Sequence, residues 1–173
     1  MPLTVSRLSA AEAEANLPAL TDILLDVVEG GGSVSFLWPL KRGEAEKFWL
    51  GAIAAVADGR RALLLARDET GPVGTVQLDL PWFPNQPHRA DVMKLLVKLR
   101  ARRRGAARAL MRALEDEARR AGRSLLTLDT VTGGAAEKLY RSMGYEAAGV
   151  IPGFALSTDG RPEDTTVMYK RLT

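Results

Sequence analysis

The 173-residue chain is 46% hydrophobic and 26% charged, with no cysteine and a net charge of only +3. That composition suffices for one globular core, excludes disulfides and thiolate metal sites, and makes basicity a local feature rather than a general attraction to polyanions. No window approaches the roughly 18 uninterrupted apolar residues of a membrane span, and the first residues lack a basic-then-apolar leader pattern, so a cytoplasmic location without a membrane partner is expected.

"LTVSRLS" alternates as a first strand, and Ser9 with Glu12 forms a capping box for a helix starting near Ala10. Pro18 interrupts or restarts that helix, with Asn16 as a second cap. Leu20, Ile23, Leu24, Val27 and Val28 then recur at helical spacing until "EGGG". "SVSFLWP" is a short apolar segment before a helix over about 42–58, whose buried face carries Ala45, Phe48, Trp49, Ala52, Ile53 and Val56. "RALLLARDE" and "GPVGTVQLDL" form a hairpin around "TGP", and "WFPNQPH" is a Pro-rich loop. "ADVMKLLVK" is a strand, nearly apolar at its end and so expected to be buried on both faces. A helix over about 105–121 turns Leu110, Met111, Leu114 and Ala118 inward, and i,i+4 spacing pairs Arg112 with Asp116, Glu115 with Arg119 and Asp116 with Arg120. "SLLTLDTV", the short helix "GAAEKLYRSMG", and the strands "YEAAGVIPGFAL" and "TTVMYKRL" complete the chain. The order predicts a single α/β domain over 1–173, with a mixed sheet flanked by helices.

The junction "KLLVKLRARRRGAARALM" raises the functional question. A strand ends, a tight turn follows, and a helix begins at Gly105, Ala106 and Ala107. The first helical turn has unpartnered N–H groups and the positive end of the helix dipole. Arg102, Arg103 and Arg104 add charge, so the junction suits a pyrophosphate; an exposed basic helix cap is the bland alternative. Neither G-x-G-x-x-G nor a P-loop G-K-[ST] is present. Nucleic-acid binding is opposed by the acids Glu115, Asp116 and Glu117 and by the absence of aromatics among the arginines.

"RRRGAA", Arg102 to Ala107, resembles the Q/R-x-x-G-x-G/A motif of the GNAT N-acetyltransferases, and "AAEKLYRSMGY", about 35 residues later, resembles their A-x-x-L-Y-x-x-x-G-[FY] block. The phrases "GGSVSFL", "NQPHRADVMKLLV", "LLTLDT" and "GVIPGFALSTDGR" resemble the tabtoxin-resistance branch of that family. The resemblance implies a mostly antiparallel, twisted sheet of about seven strands with splayed middle strands and about four helices. It also implies transfer of the acetyl group of acetyl-coenzyme A to the amine of a small acceptor, an amino-acid-like or β-lactam compound. With no cysteine to carry the acetyl group, transfer is direct within a ternary complex. No nucleic-acid partner is implied. A coenzyme-binding module without catalysis is the alternative.

By the same resemblance, the turn Arg102–Arg103–Arg104–Gly105–Ala106–Ala107, with Arg108, wraps the coenzyme pyrophosphate. The backbone of Leu95, Leu96 and Val97 pairs with its pantetheine arm, and one N–H there polarises the acetyl carbonyl. Tyr140 matches the tyrosine that protonates the departing sulfur, a phenol of pKa about 10 facing a thiol of about 8.5. Asp91 and Asp129 are the candidate bases; strict alternation puts Asp91 on the face of Val97, six residues on. Ser33, Ser35, Phe36 and Trp38 shape the acceptor pocket, with core or an oligomer contact as the alternative for the aromatics, while Asn85 and His88, the one histidine, join it through their loop, a structural role being the alternative for His88. A lone histidine builds no multi-histidine metal site, and no metal is expected. "SVSFLWP" and the last strands offer surface for a homodimer. Three positions depart from the family pattern: Leu99 stands where proline is frequent, Arg103 where glycine is, and Gly133 where asparagine often precedes the tyrosine by seven residues. Arg103 is expected to keep a negative φ.

Overall fold

In the computed structural model, which describes residues 3–173, the first helix starts as its capping box dictates. The Ser9 hydroxyl accepts from the Glu12 N–H, and the Glu12 carboxylate accepts from the Ser9 N–H. Strand β1 (Thr4–Leu8) leads into α1 (Ala10–Ala15), and α2 (Leu17–Glu29) restarts with Pro18 in its first turn. Asn16 holds the cap position between them. Its side chain does not cap α2, donating instead to the Glu12 carbonyl and accepting from Arg67. Then follow α3 (Arg42–Ala57), β2 (Arg61–Asp68), β3 (Gly71–Asp79), β4 (Arg89–Val97), a 3-10 turn (Leu99–Ala101), α4 (Ala106–Arg120), β5 (Leu125–Val131), α5 (Ala135–Ser142), β6 (Glu146–Leu156) and β7 (Pro162–Arg171).

The seven strands form one sheet in the order β1-β2-β3-β4-β5-β7-β6, antiparallel except for β4 and β5. That single parallel pair is joined by α4, as a crossover requires. Five helices cover the sheet where about four were expected, because Pro18 divides the first helical stretch in two. Strand β2 alternates between two cores. Leu63 and Leu65 pack with Leu20, Leu24 and Trp49 of α2 and α3, while Ala62, Leu64 and Ala66 pack with Leu110, Met111 and Leu114 of α4. A strand so placed is apolar at every position, as "ALLLA" is.

The expected ion pairs along α4 do not form. Arg119 reaches Asp116 and Arg120 reaches Glu117 at i,i+3. Glu115 and Glu117 are buried at the flanks of the apolar stripe, where Lys170 of β7 and Arg7 of β1 meet them. Only at Glu115 does a strand cation take the place of the helix neighbour, while Glu117 holds both Arg7 and Arg120.

Candidate active site

Strands β4 and β5 pair only over Arg89–Leu125, Ala90–Leu126 and Asp91–Thr127. Beyond Asp91 they part, β5 staying with β7 and β4 with β3. The edge of β4 that faces the gap therefore has no strand partner beyond that rung, which includes Leu95, Leu96 and Val97. On its other side the register with β3 shifts so that Lys94 and Leu95 together oppose Val76, a β-bulge in which Lys94 takes a φ of +50°. Gly74 lets the bulged strand approach: a Cβ there would lie 2.7 Å from the Leu96 carbonyl oxygen.

The bulge corrects two expectations. Ala90 and Val92 pack on the α4 side, yet Leu96 packs on the α2–α3 side, so the extra residue reverses the alternation. Asp91 and Val97 thus lie on opposite faces. Nor is the end of β4 buried on both faces, for Met93, Lys94 and Leu95 are only half-buried beside the gap.

The turn after β4 is anchored from three sides. The Lys98 N–H donates to the Val73 carbonyl at 2.9 Å, and the Leu99 N–H to the Asp26 carboxylate of α2 at 2.7 Å. The Arg102 guanidinium reaches back to the Val97 carbonyl at 3.3 Å. Leu99 keeps an N–H that Asp26 satisfies, and its side chain lies over Gly30. Contrary to expectation, Arg103 has a φ of +63°, so the turn keeps the left-handed residue that glycine supplies more cheaply. Gly105 follows at +87° and opens α4 without a side-chain cap or an acid in the first turn. No acceptor among the described residues takes the N–H groups of residues 103–108. Arg108 ties α4 to Ser142 of α5 at 2.7 Å.

On α5, Tyr140 is buried, with its ring 5.6 Å from that of Tyr145 and its hydroxyl hydrogen-bonded to none of the described residues. Burial, and then the charge of Asp129, hold its pKa well above that of an ordinary phenol. The helix is set by Glu137, whose carboxylate accepts from the Gly133 N–H, from Arg141 and from Thr166. Gly133 is left-handed (φ +75°), a conformation that asparagine also adopts readily.

Asp91 and Asp129 differ in availability. Asp91 sits at the last rung before the gap and accepts from Arg89 at 2.9 Å and from the Thr127 hydroxyl. Asp129, two residues further along β5, is exposed and has no ion-pair partner among the described residues. Across the gap Lys94, which sequence reasoning missed, donates to the Ser35 hydroxyl at 2.8 Å and lies 5.9 Å above the Phe48 ring. A lone lysine within the apolar run "MKLLV" was the signal available in the sequence.

The loop 30–41 closes this side. Ser33 donates to the Leu156 carbonyl, and the Trp38 N–H to the Thr158 carbonyl. Phe36 meets Phe48 edge-on at 5.4 Å. Trp38 is exposed beside a cis peptide bond to Pro39. Asn85 and His88 are not brought here. They are exposed at the closed end of the gap, where the His88 carbonyl accepts from Ser124 and Leu125; Lys94 lies six residue steps further along the chain, roughly 20 Å. Ser35, Lys94 and Arg103 are the three non-glycine residues with positive φ among those described, and all line this gap or its turn.

Known proteins share this fold. The signature of the family described as Acetyltransferase (GNAT) family matches residues 24–145. An uncharacterized N-acetyltransferase of Azospirillum brasilense, from the hisH-hisA intergenic region, is 33% identical over 129 residues, covering 73% of this chain and 74% of that protein. The ribosomal-protein-alanine N-acetyltransferase of Brucella melitensis superposes with a TM-score of 0.79 at 27% identity, over 98% of this chain and 99% of that one. The structure of yncA from Salmonella typhimurium with its cofactor acetyl-CoA also gives 0.79, at 20% identity over 99% and 94% of the two chains. No helix among the described residues is long and apolar enough to cross a membrane.

Proposed function

The chain belongs to the acetyltransferase (GNAT) family and is an N-acetyltransferase, and we propose that its acceptor is the amine of a small, amino-acid-like molecule, acetylated directly in a ternary complex. The observation that carries this reading is the gap between β4 and β5 opening beside the uncapped, arginine-rich start of α4. Free first-turn N–H groups and a helix dipole suit a pyrophosphate, and the open space around a Cβ at Gly105 leaves the backbone approachable. The residues present therefore fit acetyl-coenzyme A. Residues 103–108 would hold its phosphates, with Arg102 and Arg104 adding charge, and the free edge of β4 at Leu95–Val97 would hold its arm. When bound, the coenzyme supplies an acetyl thioester and leaves as a thiol.

The chain's own groups supply the proton chemistry. Asp129, unpaired and exposed at the gap, takes the proton of the acceptor ammonium at its carboxylate, directly or through water. Asp91, already engaged by Arg89 and Thr127, fixes the vertex and contributes charge. Tyr140, kept protonated by burial and by Asp129, donates from its hydroxyl to the departing sulfur. The phrases shared with the tabtoxin-resistance branch make β-lactam amino acids early candidates for the acceptor. Positive charge without a carboxylate partner is concentrated in one turn, while Arg119 and Arg120 of α4 pair with acids, which favours a compact anion over a polyanion.

Thiol release from acetyl-coenzyme A, assayed against amines, amino acids and β-lactam amino acids, tests the reading. Turnover of a small amine supports it. Acetylation restricted to protein N-termini contradicts the acceptor assignment.

A further inference from the structure

Among the described residues, three cations and three carboxylates lie on the open face of the sheet around the gap, and they are not evenly matched. Arg61 is committed to Asp79 at 2.8 Å and to Gln77 at 3.0 Å. Arg89 is committed to Asp91 at 2.9 Å. Lys94 and Asp129 remain. Lys94 feels the charge of Asp129, yet no ion pair joins them. What holds Lys94 away is structural: its ammonium is tethered by Ser35 and flanked by the Phe48 ring, and both Lys94 and Ser35 take left-handed backbone to meet. Strain of that kind persists where the surroundings enforce it, and it marks functional sites.

A half-buried ammonium with one hydroxyl partner has donors to spare. Burial lowers the Lys94 pKa, and Asp129 partly opposes that; an anion brought to the ammonium would raise it again. The free cation on β4 and the free carboxylate on β5 therefore face each other across the place where the acceptor amine must stand. We infer that Lys94 receives the carboxylate of the acceptor while Asp129 faces its amine, so the preferred acceptor is a zwitterionic amino acid rather than a peptide N-terminus or a simple amine. This rests on the small-amine reading above and names the acceptor's second group.

The test compares L-amino acids and β-lactam amino acids with their carboxamides and with peptides bearing the same N-terminal residue. Thiol release gives kcat/KM, and binding is followed by NMR in the presence of coenzyme A. Lys94→Asn removes the charge while keeping a residue that tolerates left-handed backbone, and Lys94→Arg restores the charge. The expected result is a preference for the free acid over its carboxamide of about 10- to 100-fold, collapsing towards unity in K94N and recovering in K94R. A carboxamide or peptide used as well as the acid, or a preference that survives K94N, overturns the inference and leaves the acetyltransferase intact. If no small amine is acetylated, the small-amine reading fails instead. Binding then decides the inference: acids bound in a Lys94-dependent way support it, and acids that do not bind overturn it.

Discussion

The basic turn between β4 and α4 draws its groups from one run of residues, 97 to 108. The opposite wall of the gap draws on Arg61 of β2, Lys94 of β4, Asp129 of β5, Tyr140 of α5 and Ser35 in the loop 30–41. The first wall is made mainly of backbone donors and exposed arginines, a chemistry suited to phosphates whatever else the molecule does. The second is made of side chains gathered from five places and held apart by local strain. A contiguous wall tolerates changes in its side chains while its backbone path is kept. A dispersed wall depends on every element that delivers a group to it.

Four single substitutions and one second-site change probe this contrast, in decreasing order of expected effect. Tyr140→Phe removes the proposed proton donor of the dispersed wall and should lower kcat by about 100-fold or more, with a much smaller change in acetyl-coenzyme A affinity; steady-state kinetics and titration separate the two. Gly74→Ala drives a Cβ to 2.7 Å from the Leu96 carbonyl and should destabilise the fold by about 1–3 kcal/mol in urea melts. It should also weaken coenzyme binding, because β4 must shift. Asp26→Ala strands the Leu99 N–H and should cost about 1–2 kcal/mol of stability. Leu99→Pro in the same background should recover most of that loss, since proline has no N–H to satisfy and Lys98 already has the extended backbone (φ −50°, ψ 142°) that precedes proline. Arg103→Gly relieves the left-handed arginine and should stabilise by up to about 1 kcal/mol, a small rise in melting temperature reduced by the glycine's entropy. If Arg103→Gly weakens coenzyme binding as much as loss of Arg102 does, the charge rather than the path of that turn matters there.

The two walls were also unequally legible in the sequence. The capping box of Ser9 and Glu12, the break at Pro18 and the core stripe of α4 are local patterns, and the elements formed where those patterns lay. The basic turn and its uncapped helix start were readable for the same reason. The register of β4 was not: a single bulge at Lys94 and Leu95, allowed by a glycine on the neighbouring strand, reverses which face each residue takes, and alternation alone cannot reveal it. That misplaced Asp91 relative to Val97 and hid Lys94 altogether. Asn85 and His88 were grouped with the acceptor pocket by the resemblance of the phrase around them, but strand direction carries them to the closed end. Of the pairs predicted along α4, Glu115 is taken by Lys170 of β7, far away in the chain, and Arg119 and Arg120 turn to acids three residues back instead of four.

The central claim is that the uncapped, arginine-rich turn holds the phosphates of acetyl-coenzyme A. Calorimetric titration with acetyl-coenzyme A, comparing the wild type with the Arg102→Ala/Arg104→Ala variant, tests it most directly. The account predicts one-site binding to the wild type, weakened by about 100-fold or more when both charge-assisted contacts are lost, with the melting temperature of the variant nearly unchanged. Equal binding by the two proteins, or none by the wild type, would contradict it.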